Sequence, residues 1–242
     1  MRILVVSDIH GNWPALAAIH EPHDVCFCLG DLVDYGPDPA PCVRWAMDHA
    51  HNAIRGNHDQ GVAQGVPVAG EDGYRYLTRV SRPWMWDALG LDERRYLLQL
   101  QVTRRMTLGS KRFLMVHATP RDPLDEYLLQ DPKTWAKRVH NVEADIVCVG
   151  HSHIQFDLTA ERVVAINPGS VGQSRDGDPC AAYAILDDNK YELKRVEYPV
   201  EETIARIEAS PVPERAKQSR CLGRLPVPAP GAGAEPGAED VA

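Results

Sequence analysis

The chain has 242 residues, 44% of them hydrophobic and 25% charged, with 34 Asp and Glu against 26 Lys and Arg. This length allows one large domain with a buried core, and no apolar run reaches the roughly 18 residues that a membrane-spanning helix needs. The formal net charge of -8 argues against general nucleic-acid binding, which needs a basic stripe to displace counterions.

The first apolar run, Arg2 to Ser7, reads as a buried strand and delivers Asp8 and His10 at its end. These polar residues cut off any signal-peptide core, so a cytoplasmic protein is expected. Asn12 is placed to cap a helix with Pro14 in its first turn and Ala15 to Ile19 behind it. A second strand, Asp24 to Gly30, delivers Asp31. Gly36-Pro37-Asp38-Pro39 is a turn, and Ala40 to Ala50 an amphipathic helix. A third strand, His51 to Gly56, delivers Asn57 and His58.

Residues 61–110 interrupt this rhythm as an insert, a wall beside whatever the strand ends hold. Residues 72–100 read as mostly helical, broken at Pro83 and Gly90, with Asp92 as a cap for Glu93 to Leu100. Tyr74, Trp84 and Trp86 offer either an aromatic wall for a substrate or ordinary helix packing. The rhythm then resumes. Arg112 to Val116 delivers His117, a helix covers Lys133 to Val142, and Asp145 to Gly150 delivers His151 and His153. Strands follow at Arg162 to Ile166, Ala182 to Leu186 and Tyr191 to Glu197, the last two joined by a turn at Asp187-Asp188-Asn189-Lys190. A final helix spans Glu201 to Glu208.

One domain over 1–209 is expected, followed by a tail over 210–242 that is Pro-, Ala- and Gly-rich from Pro226 and has little to bury. This order of elements fits two packed, mixed β-sheets flanked by helices, an α/β arrangement, better than a doubly wound sheet. Of the six cysteines, Cys26, Cys28, Cys42 and Cys148 fall on apolar faces and read as reduced core thiols. The one-residue gap between Cys26 and Cys28 is not a zinc-finger spacing.

In open α/β sheets ligands gather beyond the carboxyl ends of the strands. Five strand ends on one rim would therefore collect carboxylate, imidazole and amide groups, the donor set of a two-metal hydrolytic site. The series Asp8-Ile9-His10, Gly30-Asp31-Leu32-Val33-Asp34, Gly56-Asn57-His58-Asp59, Val116-His117 and Gly150-His151-Ser152-His153 resembles the motif set of the calcineurin-like metallophosphoesterase superfamily. Gly36 to Pro39 and Asn167 to Gly172 further resemble its small bacterial and archaeal branch, related to diadenosine tetraphosphatases and serine/threonine phosphatases. Departures are confined to loop residues. Ser152 stands where threonine is usual, Ala118-Thr119-Pro120 where Gly-Ser-Pro is common, and Gln155 where a proline often follows.

The resemblance implies the four-layer sandwich of that family and a role for each position. Asp8, His10 and His153 would hold one divalent ion; Asn57, His117 and His151 would hold a second; Asp31 would bridge them. Mixed oxygen and nitrogen donors suit Mn, Fe, Co, Ni or Zn. A metal-activated hydroxide would attack phosphorus in line, with His58 assisting the leaving group and Asp59 orienting the His58 ring. Asp34 is expected beside the site, not as a ligand. Arg55 and Arg175 are the candidate contacts to substrate phosphate. The expected substrate is a small phosphomono- or phosphodiester, a nucleotide or phosphoprotein among the options, with dinucleotide polyphosphates less favoured. The alternative is a non-catalytic scaffold of the same fold, against which the complete ligand set argues.

Overall fold

Successive side chains of a strand point to opposite faces, and β1 (Arg2–Val6) buries both of its faces. Ile3 and Val5 face a second sheet, while Leu4 and Val6 face helices. The computed structural model describes residues 1–187 and 190–217. In chain order the elements after β1 are α1 (Trp13–Ala17), β2 (Val25–Cys28), α2 (Pro39–His49), β3 (Asn52–Ala53), α3 (Asn57–Ala63), α4 (Gly73–Ala88), α5 (Leu91–Gln99) and β4 (Thr103–Leu108). They continue as β5 (Lys111–Val116), α6 (Pro132–Val139), β6 (Ile146–Cys148), β7 (Phe156–Ala160), β8 (Val163–Asn167), β9 (Ala181–Asp187), β10 (Lys190–Val196), α7 (Val200–Ala209) and α8 (Glu214–Lys217).

Two five-stranded sheets form, ordered β10-β9-β1-β2-β3 and β4-β5-β6-β8-β7. Both are mixed. β1, β2 and β3 run parallel in the first, as do β5, β6 and β8 in the second, with antiparallel strands toward the edges. The sheets meet on Ile3, Val5, Phe27 and Leu29 from one side and Phe113, Met115, Ile146 and Ile166 from the other. At the centre the Phe27 and Phe113 rings meet edge to face, 5.5 Å apart, a favoured aromatic geometry. On the outer faces, Leu4, Val6 and Cys28 pack against α1, α2 and α5, and Leu114, Val116 and Val147 pack against Trp135 and Val139 of α6. Helix, sheet, sheet and helix make four layers, the two-sheet α/β sandwich that the element order implies.

Several local expectations need correction. α4 is continuous through Pro83; the proline is exposed, so water can serve the carbonyl that loses its partner. The buried face of Tyr76, Leu77, Ser81 and Met85 holds the helix on either side of it. Gly90, not Asp92, is the N-cap of α5, and Asp92 sits in its first turn. Two strands escaped the reading of the sequence. β4, Thr103–Leu108, is a largely exposed edge without an apolar pattern, and β7, Phe156–Ala160, is interrupted by polar residues. The chain also stays on the domain past 209, because Val212 and Ala216 bury against Tyr35, Tyr76 and Leu77. The turn expected at 187–190 lies partly outside the described residues, though Asp187 and Lys190 do pair across β9 and β10. The tail beyond 217 and Cys221 lie outside the described residues altogether. Among those residues Cys26, Cys28, Cys42 and Cys148 are free and buried, and no helix is long and apolar enough to cross a membrane.

Candidate metal centre

Each parallel strand ends at the same rim and turns sharply there. Asp8 and His10 follow β1, Asp31 follows β2, Asn57 follows β3, His117 follows β5, and His151 and His153 follow β6. The turns are cross-linked through backbone: Asp8 N–H donates to Gly30 O, His10 N–H to Asp31 O, and Gly150 N–H to His117 O. The loop after β8 braces them from behind. Asn167 donates to Gly150 O at 2.7 Å, and the Ser170 hydroxyl donates to Asp8 O at 2.7 Å.

Among the described residues, the non-glycine positions with positive φ are Asp8, His10, Asp31, Asp34, Tyr35, His151, His153 and Glu161. All but Glu161 lie at this rim. A left-handed conformation costs a non-glycine residue roughly 1–3 kcal/mol and persists where the surroundings impose it. The strain turns the side chains out of the strand direction and into one volume. Gly56 is required by the same crowding, since a Cβ there would stand 2.0 Å from Asp31 Oδ1.

The donor atoms fall into two groups, Asp8 with His10 and His153, and Asp31 with His117 and His151, each within 4.8 Å of one another. A backbone carbonyl can only accept, so it fixes the tautomer of an imidazole that bonds to it. His10 Nδ1–H donates to Val33 O at 2.9 Å, His117 Nδ1–H to Leu29 O at 2.8 Å, and His153 Nδ1–H to Gln173 O at 2.5 Å. All three Nε2 lone pairs therefore point inward. His10 Nε2 faces His153 Nε2 at 3.1 Å, and His117 Nε2 faces Asp31 Oδ2 at 3.2 Å. With the rings neutral, as ligation requires, acceptor faces acceptor in both places. Among the described residues, buried Asn57 Oδ1 and His117 Nε2 have no hydrogen-bond partner, an expensive arrangement unless a cation occupies the gap. Asp31 Oδ2 also lies 3.8 Å from His10 Nε2, so this carboxylate reaches both groups. The donor set fits divalent transition-metal ions.

The electrostatics carry the same demand for positive charge. Burial pushes the Asp8 and Asp31 carboxyls up, but the neighbouring imidazoles of His153 and His117 more than reverse it, leaving both below the usual carboxylate range. Burial and the facing rings hold His10 well below the ordinary imidazole value, and His151 down at about 3, the neutral forms that ligation needs. At His117 burial works against charge, yet Asp31 raises the ring to about 10. The gap between His117 and Asp31 thus draws in a positive charge.

His58, 12% exposed, stands beside these groups at the N-terminus of α3. Its expected partner is wrong. Asp59 does not touch the ring: its carboxylate accepts from the backbone N–H of Asp31, Leu32 and Gly56 at 2.8–3.0 Å, because the helix turns its third residue back over its own N-terminus. Burial, then the nearby Asp31, raises Asp59 to about 7. The partner of His58 is Asp34, whose Oδ2 accepts from Nδ1–H at 2.8 Å and from Arg82 Nη2 at 2.6 Å. His58 Nε2 lies 3.2 Å from the Tyr35 hydroxyl. Burial lowers the His58 pKa, but Asp31 and Asp34 overcome it and the net shift is upward.

The two arginines part company. Arg55 turns away from the site and donates to Leu98 O and Leu100 O at 2.6 and 2.7 Å, because β3 ends against the chain at Gln101. Arg175 stays. Its guanidinium lies 4.0 Å from the Tyr74 ring centroid, its buried Nε has no partner among the described residues, and its charge acts on His153. Trp84 and Trp86 pack against the helix-covered core. Sequence reasoning missed Tyr35, Arg82 and Tyr127, whose ring stands 5.8 Å from that of His151. The spacing of Tyr74, Thr78 and Arg82, four residues apart on one helix stripe, was the available signal for Arg82. Tyr35 and Tyr127 carried none.

Residues 1–190 match the profile described as calcineurin-like phosphoesterase superfamily domain. An uncharacterized protein of Methanocaldococcus jannaschii is 33% identical over 248 residues, covering 92% of this chain and 98% of that protein. The crystal structure of a metallophosphoesterase from Sphaerobacter thermophilus is similar with a TM-score of 0.78 and 30% identity, covering 92% of this chain and 99% of that one. A protein named phosphodiesterase YfcE from Escherichia coli K12 is 24% identical over 204 residues, covering 78% of this chain and 89% of that protein.

Proposed function

Because the chain belongs to the calcineurin-like phosphoesterase superfamily, and so to a family of phosphate-ester hydrolases, we propose that it is a dinuclear-metal-dependent phosphodiesterase. Asp8, His10 and His153 hold one ion, Asn57, His117 and His151 the other, and Asp31 both. The observation that carries this reading is the pair of acceptor-to-acceptor gaps, 3.1 Å between His10 and His153 and 3.2 Å between His117 and Asp31. When bound, two divalent ions polarise the phosphoryl oxygens and supply an activated water as nucleophile.

The chain's own residues do the rest. Asp34 accepts from Nδ1–H of His58 and is itself fixed by Arg82. The upward shift of His58, from Asp31 and Asp34, favours the protonated ring, whose Nε2–H is the proton that passes to the departing alkoxide. Of the two arginines expected to meet a phosphoryl oxygen, Arg175 remains, since Arg55 is committed to backbone carbonyls, and the nearby Arg82 is committed to Asp34. One cation suits a diester monoanion better than a monoester dianion, and the relative named as a phosphodiesterase supports that choice.

The test is to strip the purified protein with chelator and restore it with Mn²⁺, Ni²⁺ or Zn²⁺ in turn. Two ions should bind per chain, and hydrolysis should return with bis-p-nitrophenyl phosphate preferred over p-nitrophenyl phosphate. Two bound ions with no hydrolysis of either ester would leave a binding scaffold instead.

A further inference from the structure

Of the seven donors proposed to hold metal, only Asn57 lines a concave region beside His58. This region is a cavity of about 310 Å³ between α3, α4 and the loop that follows His117. Asn57, His58 and Tyr35 line it, and the Tyr35 hydroxyl lies 3.2 Å from His58 Nε2, so it lies beside the ring proposed to protonate the leaving oxygen. Whatever alcohol departs must lie on the His58 side of phosphorus, and this cavity is the space available there.

The walls state what fits. Tyr35 and Tyr74 stand at 61° with ring centroids 6.0 Å apart, forming an angled cleft, and Val68 and Leu124 line it as well. Arg175 covers the Tyr74 ring at 4.0 Å from its centroid and is absent from the lining, whereas Tyr74 itself lines the cavity. Two charged side chains also line the cavity. Arg75 has no hydrogen bond or ion pair among the described residues, and the Asp125 carboxylate accepts no hydrogen bond among them. They provide one donor and one acceptor for the polar edge of a ring. Arg82 and Thr78, although they line the same space, are spent on Asp34 and on Tyr35 and Tyr74. A volume of about 310 Å³ is at the lower limit of ligand cavities, roughly 300–1,000 Å³. It admits one small ring system and excludes a folded polypeptide surface or a nucleic-acid duplex.

We propose that this cavity seats the departing alcohol and selects one that carries a flat ring with a polar edge, as a nucleoside does, over an aliphatic alcohol of similar length. The inference rests on the phosphodiesterase reading above and adds the substrate class to it.

The experiment keeps the retained group and the chemistry of the leaving oxygen constant. Methyl phosphodiesters of a nucleoside 5′-hydroxyl, of 2-phenylethanol and of n-butanol all release a primary alcohol, and kcat/KM is measured for each with the metal-loaded full chain. Both ring alcohols should exceed butanol by about tenfold, the nucleoside most, from ring stacking and burial. Tyr74→Ala, which opens the cleft, and Val68→Trp, which fills it from a loop, should each bring the three values to within about twofold of one another. Equal values in the wild type, or a preference that survives both substitutions, would overturn the assignment while leaving the phosphodiesterase intact. If bis-p-nitrophenyl phosphate is not hydrolysed either, the underlying reading fails and takes this one with it.

Discussion

The rim of strand ends and the wall formed by residues 61–110 meet at His58, yet they are built on opposite terms. On the rim the backbone holds most donors: carbonyls of Leu29, Val33 and Gln173 fix three imidazoles, the N–H of His151 and of His58 bond the Asp8 and Asp31 carboxylates, and left-handed turns aim the side chains. On the wall, position comes from side-chain packing, with one stripe of α4 in the core through Leu77, Ser81 and Met85 and another presenting Tyr74, Thr78 and Arg82. Backbone-held groups tolerate almost no displacement, whereas a packed helix can exchange surface residues at small cost. The rim should therefore govern whether reaction occurs, and the wall which ester reacts.

The largest effect expected is at the junction. His58→Ala should leave both metals bound and lower kcat by about 10²–10⁴-fold, the usual range for a lost general acid. Metal analysis beside turnover measurements would show it, and unchanged kcat would remove His58 from the chemistry. Next come two carboxylates, the one that meets this histidine in space and the one that follows it in sequence. Asp34→Asn should cost roughly 10–100-fold in kcat, as loss of an orienting partner does. Asp59→Asn should act mainly on folding, by about 2–3 kcal/mol, because it weakens charge-assisted bonds to three backbone donors. Denaturant titration and kinetics on both variants decide this; a greater kcat loss in Asp59→Asn would restore the arrangement first expected.

Smaller effects should separate the arginines. Arg175→Ala should raise KM for a diester by about tenfold, the worth of one charged hydrogen bond to phosphate. Arg55→Ala should leave KM unchanged, since Arg55 serves Leu98 and Leu100. A KM rise in Arg55→Ala alone would show that the wall moves when substrate binds. Mildest of all, Val212→Asp should lower stability by about 2 kcal/mol and be seen as a shift in thermal unfolding. Val212 backs Tyr35, Tyr76 and Leu77 from the chain's later segment. No shift would mean that residues 210–217 contribute nothing to the wall.

How far the sequence could be read follows the same division. The two sheets and the seven donors were legible because each donor lies within a few residues of a short apolar run, and strand periodicity is a local signal. β4 was not legible, because an exposed edge strand needs no apolar alternation. Pro83 misled for a related reason: a helix boundary was inferred from one residue, whereas the buried face of α4 decides that the helix continues. Asp34 and Asp59 are the instructive pair. Both lie in motifs read correctly, and adjacency to His58 in sequence favoured Asp59. Helical geometry points residue 59 back at the backbone and leaves the ring to a residue 24 positions away.

By itself the sequence determined the inventory and the order of donors, and with them the family and the class of reaction, because ligand type and strand-end position are properties of single short segments. Only the tertiary structure decided that Asp31 reaches both donor groups, that Asp34 meets the His58 ring, that Arg55 is turned away and that a cavity lined by Tyr35 and Tyr74 lies beside His58. Each of these depends on distances between segments far apart in the chain, and such distances are set by how the two sheets and α4 pack.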